Sequence, residues 1–164
     1  MIAEEMTTRD EGMRHECMLW YQLYRLEAAY WHDVDCNDGR NAAEFYLEDG
    51  TFAIGKNQFS GRRKIQEYYA WRQQHARGTS RHLIGNLQVD VQDERHAKVF
   101  GVISFYQGEG RPPVLASKPA VLVADLANEC VFGDDRKWRF KSHILRPVFV
   151  GDDIPLSLAF DLNR

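Results

Sequence analysis

Proton transfer without a cofactor needs a base, a group that fixes the base in one tautomer, and a donor or cation for the charge that develops. A few polar side chains of this sequence stand where the pattern calls for apolar ones. His82 opens the run Ser80-Arg81-His82-Leu83-Ile84-Gly85-Asn86 and shares parity with Ile84 and Asn86. Asp35 lies at the end of a helical stripe that holds Tyr30, Trp31 and Val34. A carboxylate there opposes the helix dipole, so a His or Arg should hold it. Arg146 falls on the same parity as Trp138, Phe140, Ile144 and Val148. An unpaired guanidinium on a buried face is costly, so it must meet a carboxylate, a water-filled cavity or an anionic ligand. Each residue also has a plain structural reading: a strand histidine, a helix-end turn residue, and an ion-paired or solvent-reaching arginine. Taken together they suggest a His–Asp pair with a phenol and a guanidinium around an aromatic-lined cavity, a set suited to proton abstraction.

Other chemistries lack their motifs. His15, His32, His75, His96 and His143 form no metal-ligand spacing, and there is no HExxH, GxGxxG, P-loop or GxSxG. No metal and no cofactor is expected. Cys17, Cys36 and Cys130 are an odd, scattered set that suits a reducing compartment and forms no disulfide framework.

The elements that must position these residues are helical first and extended later. Thr8-Arg9-Asp10-Glu11 fits a capping box that would start a first helix at Thr8. Leu19, Leu23, Leu26 and Tyr30 recur at helical spacing, and Asn37-Asp38-Gly39 ends the run. A short second helix is expected around 40–46, a turn at Glu48-Asp49-Gly50 and a short strand at 51–54. A third helix is expected over 61–76, with Ser60 as its N-cap, Ile65, Tyr68, Tyr69, Arg72 and Ala76 on one face, and Gly78 as its stop. The period then becomes two. Leu83, Leu87, Val89 and Val91 alternate, and strands follow at 98–107, 120–132 and 137–150, with a hairpin turn at Asp134-Asp135. Segregated elements of this kind imply an α+β domain, its antiparallel sheet covered on one face by the helices. The tail 151–164 keeps Leu156, Leu158 and Phe160 and is expected to dock on the body or on a second subunit.

Length and composition agree. The 164 residues suit a single domain over 1–164, with a core of about 8–150. Hydrophobic residues at 44% and charged residues at 27% are globular values. A net charge of -3 offers no basic surface for nucleic acid or an anionic membrane. No apolar run reaches a membrane span, and the acidic start has no signal core, so a cytoplasmic location is expected.

Five blocks then carry a resemblance. They are Tyr30-Trp31-His32-Asp33-Val34-Asp35, Phe45 to Phe52, Ser60-Gly61-Arg62, Arg81 to Leu87, and Lys137-Trp138-Arg139-Phe140. In order and spacing the chain resembles the SnoaL-like branch of the nuclear-transport-factor-2-like superfamily, over about Leu19 to Val150. The resemblance implies a cone-shaped, cystatin-like barrel: a curved antiparallel sheet wrapped by three N-terminal helices around one deep pocket. Within the branch the chain is similar to cofactor-free lyases such as scytalone dehydratase, bile-acid 7α-dehydratase and hexachlorocyclohexane dehydrochlorinase. That similarity implies a catalytic pair at Asp35 and His82, with Tyr30 and Arg146 as further catalytic residues. Two departures disfavour scytalone itself. Apolar Phe52 or Ile54 replaces the family's tyrosine after the second helix, and the second His and Ser/Asn pair have no counterpart around 120–128. The expected function is a dehydratase-like lyase acting on a small hydrophobic ring compound. Tyr46, Phe52, Tyr69, Phe105 and Trp138 are the candidate pocket wall. The alternatives are an isomerase or cyclase in the same pocket, or a non-catalytic small subunit like that of ring-hydroxylating dioxygenases, bound to a large iron-containing partner. A homodimer or homotrimer is expected, because an open curved sheet leaves an apolar face to cover.

Overall fold

Leu19, Leu23, Leu26, Tyr30, Trp31 and Val34 are all buried, and this single stripe holds a long first helix, α1 (Ile2–Cys36), against a sheet. The computed structural model describes residues 2–75, 78–113, 115–152 and 155–159. The helix begins at Ile2, so Thr8 lies inside it and not at its start. Its C-terminal turn is tied by Asp33, whose carboxylate accepts from Asn37 Nδ2 at 2.7 Å and from the Asn41 backbone N–H at 3.0 Å. Asp38 and Gly39 then take left-handed backbone angles, φ 55° and 70°, which turns the chain as the Asn-Asp-Gly signal implies.

The expected second helix is a 3-10 turn at Ala42–Phe45, and Tyr46 already belongs to β1 (Tyr46–Ile54). The Glu48-Asp49-Gly50 segment is part of that strand, which is irregular between Tyr46 and Thr51. β2 (Asn57–Ser60) folds back on it as a hairpin that the alternation did not reveal. α2 (Arg62–His75) starts from Gly61, whose carbonyl accepts from the Ile65 N–H. The Ser60 hydroxyl instead accepts from Gln58 Nε2 at 3.1 Å within β2 and is no cap. Ala76 lies outside the described residues.

Four long strands complete the sheet: β3 (Thr79–Val91), β4 (His96–Gly108), β5 (Leu122–Phe132) and β6 (Trp138–Val150). The order is β2-β1-β6-β5-β4-β3. Neighbours are antiparallel except β1 and β6, which run parallel. The architecture is an α+β curved open sheet with β2 and β3 as its edges. Its concave side carries α1, α2 and the 3-10 turn. The hairpin at 133–137 closes as expected, with the Gly133 N–H on the Lys137 carbonyl at 2.9 Å. A short helix, α3 (Leu156–Ala159), docks on the body, where Asn57 Nδ2 donates to the Ser157 carbonyl at 2.9 Å and Leu158 packs on the core. Phe160 and the Leu156 side chain lie outside the described residues. No helix among the described residues is long and apolar enough to cross a membrane.

Register shifts decide which side chains face inward. A bulge between Gly85 and Gln88, with Asn86 at φ 51°, flips the parity of β3. His82 and Ile84 face in before it, Leu87 and Val89 after it, and Leu83 is 59% exposed. A second bulge sets Cys130 opposite Phe140 and Glu129 opposite Ser142, which leaves Lys141 unpaired in β6. Trp138 and Phe140 face in before it, and His143 and Leu145 after it. Arg146 is therefore exposed on the outer face opposite Asp125, and Val148 is exposed too. Strict alternation placed Arg146 inside, and one extra residue overturns that.

Candidate active site

The helix end and the strand start meet. Asp35, on the last turn of α1, and His82, near the start of β3, are distant in the chain, but His82 Nδ1 lies 2.7 Å from Asp35 Oδ1. The His82 backbone N–H donates to Asp35 Oδ2 at 2.7 Å, and the Ser80 hydroxyl donates to Oδ1 at 2.8 Å. Both side chains are under a tenth exposed, at 7% and 6%. An ionised carboxylate only accepts, so the imidazole proton sits on Nδ1 and the Nε2 lone pair is left free. Burial pushes the Asp35 carboxyl up, but the hydrogen bonds and charge of His82, with the Ser80 hydroxyl, outweigh it and hold the carboxyl below its usual value. Burial pushes the His82 imidazole down. Arg72 and His143 act the same way, and Asp35 opposes them without reversing the shift. The ring is clamped between Trp31, with centroids 4.3 Å apart, and Phe105 at 4.5 Å, its cross-strand partner in β4.

This pair lies in the wall of a cavity of about 890 Å³. Phe52, Ile54, Tyr69, Ile103, Phe105 and Leu145 give it an apolar interior, while Asp38, Arg40, Arg72, Arg81 and Arg111 add charge. Three expected wall residues, Phe52, Tyr69 and Phe105, are there. Two are not. Trp138 packs on Phe132 and donates its indole N–H to Gln22 Oε1 at 2.9 Å, away from the cavity. Tyr46 is fully buried beneath the wall. So is Tyr30, which cannot touch a molecule in the cavity as the resemblance implied.

Tyr30 and Tyr46 instead belong to a buried polar chain. Tyr46 donates to the Tyr30 hydroxyl at 2.9 Å, and the Tyr30 and Tyr69 hydroxyls are hydrogen-bonded. His143 Nδ1 lies 2.9 Å from the Tyr46 hydroxyl. Each phenol has one proton. With the Tyr46 proton on Tyr30, Tyr46 must accept from His143, and the Tyr30 proton goes to Tyr69. That leaves the Tyr69 O–H free for the cavity, with every donor of the chain aligned toward it. Burial, with the neighbouring phenols, pushes Tyr30 well up, and burial does most to raise Tyr69, so both stay protonated.

At the far end, His143 Nε2 faces Glu27 Oε2 at 3.5 Å, both side chains fully buried. Nε2 makes no hydrogen bond among the described residues. Glu27 also accepts from Asn128 Nδ2, and from the Trp31 indole N–H at 3.2 Å. It thereby holds the ring that clamps His82. Pattern reading missed Glu27, Asn128 and His143. Glu27 sits four residues after Leu23 and four before Trp31, and Asn128 shares parity with Leu126 and Cys130, so both were visible as polar residues on apolar faces. His143 was hidden by the bulge. Among the described residues no His/Cys/Asp/Glu group could hold a metal ion.

A family model described as a SnoaL-like domain matches residues 21–143. No curated protein matches the chain. Three solved structures illustrate the likeness. A scytalone dehydratase candidate from Novosphingobium aromaticivorans superposes with a TM-score of 0.73 at 18% identity, over 85% of this chain and 91% of that one. ActVI-ORFA from Streptomyces coelicolor gives 0.67 at 12% identity, over 79% and 97%. A cystatin-like-fold protein of unknown function from Nostoc punctiforme gives 0.65 at 16% identity, over 83% and 93%. At such identities these structures share the fold alone. The family match runs from the middle of α1 to the inward-facing His143, most of the chain, which therefore belongs to the SnoaL-like domain family.

Proposed function

We propose that this chain is a cofactor-independent lyase that eliminates water, or a comparable leaving group, from a small molecule with a hydrophobic ring. The observation that carries the reading is the 2.7 Å contact between His82 Nδ1 and Asp35 Oδ1 in a cavity wall. It leaves a neutral imidazole with one free lone pair, held by a carboxylate that stabilises the imidazolium once it forms. Nε2 takes a proton from the carbon beside a carbonyl. The C–H electron pair becomes the new double bond as the hydroxyl on the neighbouring carbon leaves with its own pair. The imidazolium returns the proton to that hydroxyl, and water departs. Tyr69, which keeps its own proton, donates a hydrogen bond to the oxygen on which charge develops. The dyad facing an open cavity favours this reading over a purely structural role in a larger complex.

The test is turnover of aryl β-hydroxy carbonyl compounds, followed by alkene absorbance and loss of water by mass spectrometry. His82→Ala should lower kcat by roughly 10²–10⁴-fold with the fold intact by circular dichroism. Tyr69→Phe should lower it by about 10²-fold. No elimination by the wild type, or a His82→Ala rate near the wild-type one, overturns the proposal.

A further inference from the structure

Among the described residues Arg72 has no counterpart to its charge. It sits on the last turn of α2, half-buried in the cavity wall, and among the described residues no carboxylate lies within ion-pair distance of it. Its guanidinium carbon stands 6.0 Å from the centroid of the Tyr69 ring, so it is steadied beside the phenol that serves the cavity. Its charge is felt at His82, where it helps keep the imidazole neutral. The surroundings are cationic as well. Arg40, Arg81 and Arg111 line the same cavity, against only Asp35, already committed to His82, and Asp38. The chain as a whole carries a net charge of -3. A cavity positive inside a negative protein concentrates anions. A guanidinium presents paired donors that match a carboxylate in two-point geometry.

We propose that Arg72 is the anion-binding residue of this cavity and that the substrate carries a carboxylate, held beside Tyr69 while its apolar body lies against Phe52, Ile103 and Phe105. The inference rests on the lyase reading for the word substrate; the binding it predicts needs no turnover. A carboxylate is favoured over a phosphate because Arg72 is the half-buried cation here, while the other arginines are exposed.

Calorimetric titration of the intact protein with 3-phenylpropanoate, 3-phenylpropanamide and phenyl phosphate tests it. The wild type should bind the acid about 10- to 100-fold more tightly than the amide, the range for a hydrogen-bonded charged pair. Arg72→Gln should abolish that preference while still binding the amide, and Arg72→Lys should restore part of it. Arg95→Gln, an exposed arginine outside the cavity lining, should leave it within about threefold, as a screened surface charge does. Equal affinity for acid and amide, no measurable binding of the acid, or a preference surviving in Arg72→Gln overturns the proposal. Tighter binding of phenyl phosphate than of the acid overturns the choice of carboxylate. His82→Ala should keep the acid preference while losing elimination, so failure of the anion site and failure of the lyase chemistry are separately visible.

Discussion

His82 and Asp35 are both shifted in the sense that acid destroys. The imidazole titrates below its ordinary value of 6.5 and the carboxyl below its ordinary value of 3.8. In each case the unfolded chain binds the proton more readily than the folded one. Stability is therefore fully present above the unfolded value and is lost as pH falls through the folded value. For His82 the loss begins below about pH 6.5, and for Asp35 it follows in the carboxylate range. The expected outcome is a melting temperature flat above neutrality that falls in two stages on acidification, with the upper stage missing in His82→Gln. Catalysis should follow the same group. The acid limb of kcat/KM belongs below pH 6.5, because the base works only when neutral. A limb at or above 6.5 would show that burial does not govern the imidazole. At this scale the sequence was a good guide wherever a polar residue broke an apolar pattern at the end of an element, as Asp35 and His82 do. Arg72 shares the Ile65, Tyr68 and Tyr69 face of α2, a position the helical spacing shows without marking it as a site residue. Tyr30 and Tyr46 misled because a phenol that pairs with other phenols is as buried as a leucine.

Elements place these side chains, and the instructive failures are local. Alternation located all four long strands, but could not see that Asn86 and Lys141 each interrupt it. Inverting parity partway along β3 and β6 exchanged Arg146 for His143 on the inner face. The turn after α1 does comparable positioning work. Gly39 has φ 70°, and a Cβ there would strike the Tyr69 ring, 2.8 Å from Cε1. Gly39→Ala combines backbone strain with a push on the cavity phenol, so it should cost about 1–3 kcal/mol in urea unfolding and lower activity toward the Tyr69→Phe level. Gly61→Ala is the comparison. It has φ 87°, but the nearest atom to a new Cβ is a carbonyl oxygen 3.8 Å away. It should lose stability and keep its activity. If both variants lose activity alike, the turn does not position Tyr69.

The whole molecule presents one more pattern that no single strand shows. Across β6, β5, β4 and β3, Phe149, Val123, Ser104 and Leu83 stand in register as one row on the convex face. Phe149 is 68% exposed, and Phe100 and Tyr106 of β4 are exposed on the same face. Helices cover the concave side, and among the described residues no element covers this one. Leu83, Phe100, Tyr106 and Phe149, exposed on one face, mark an association surface more than scattered side chains do. The natural partner of a self-complementary face is a second copy. Sedimentation of the wild-type chain at micromolar concentration should therefore give a dimer or trimer. Phe149→Glu should shift it to monomer, because burying an unpaired carboxylate in the contact is costly. Met13→Glu, equally exposed in character but on α1, should leave the assembly unchanged. A wild-type monomer, or an assembly that Met13→Glu breaks and Phe149→Glu does not, would move the interface off the sheet. The cavity walls come from the helices and from strands β1, β3, β4, β5 and β6 of one chain, with the dyad on the concave side, so the Phe149→Glu monomer should retain His82-dependent turnover.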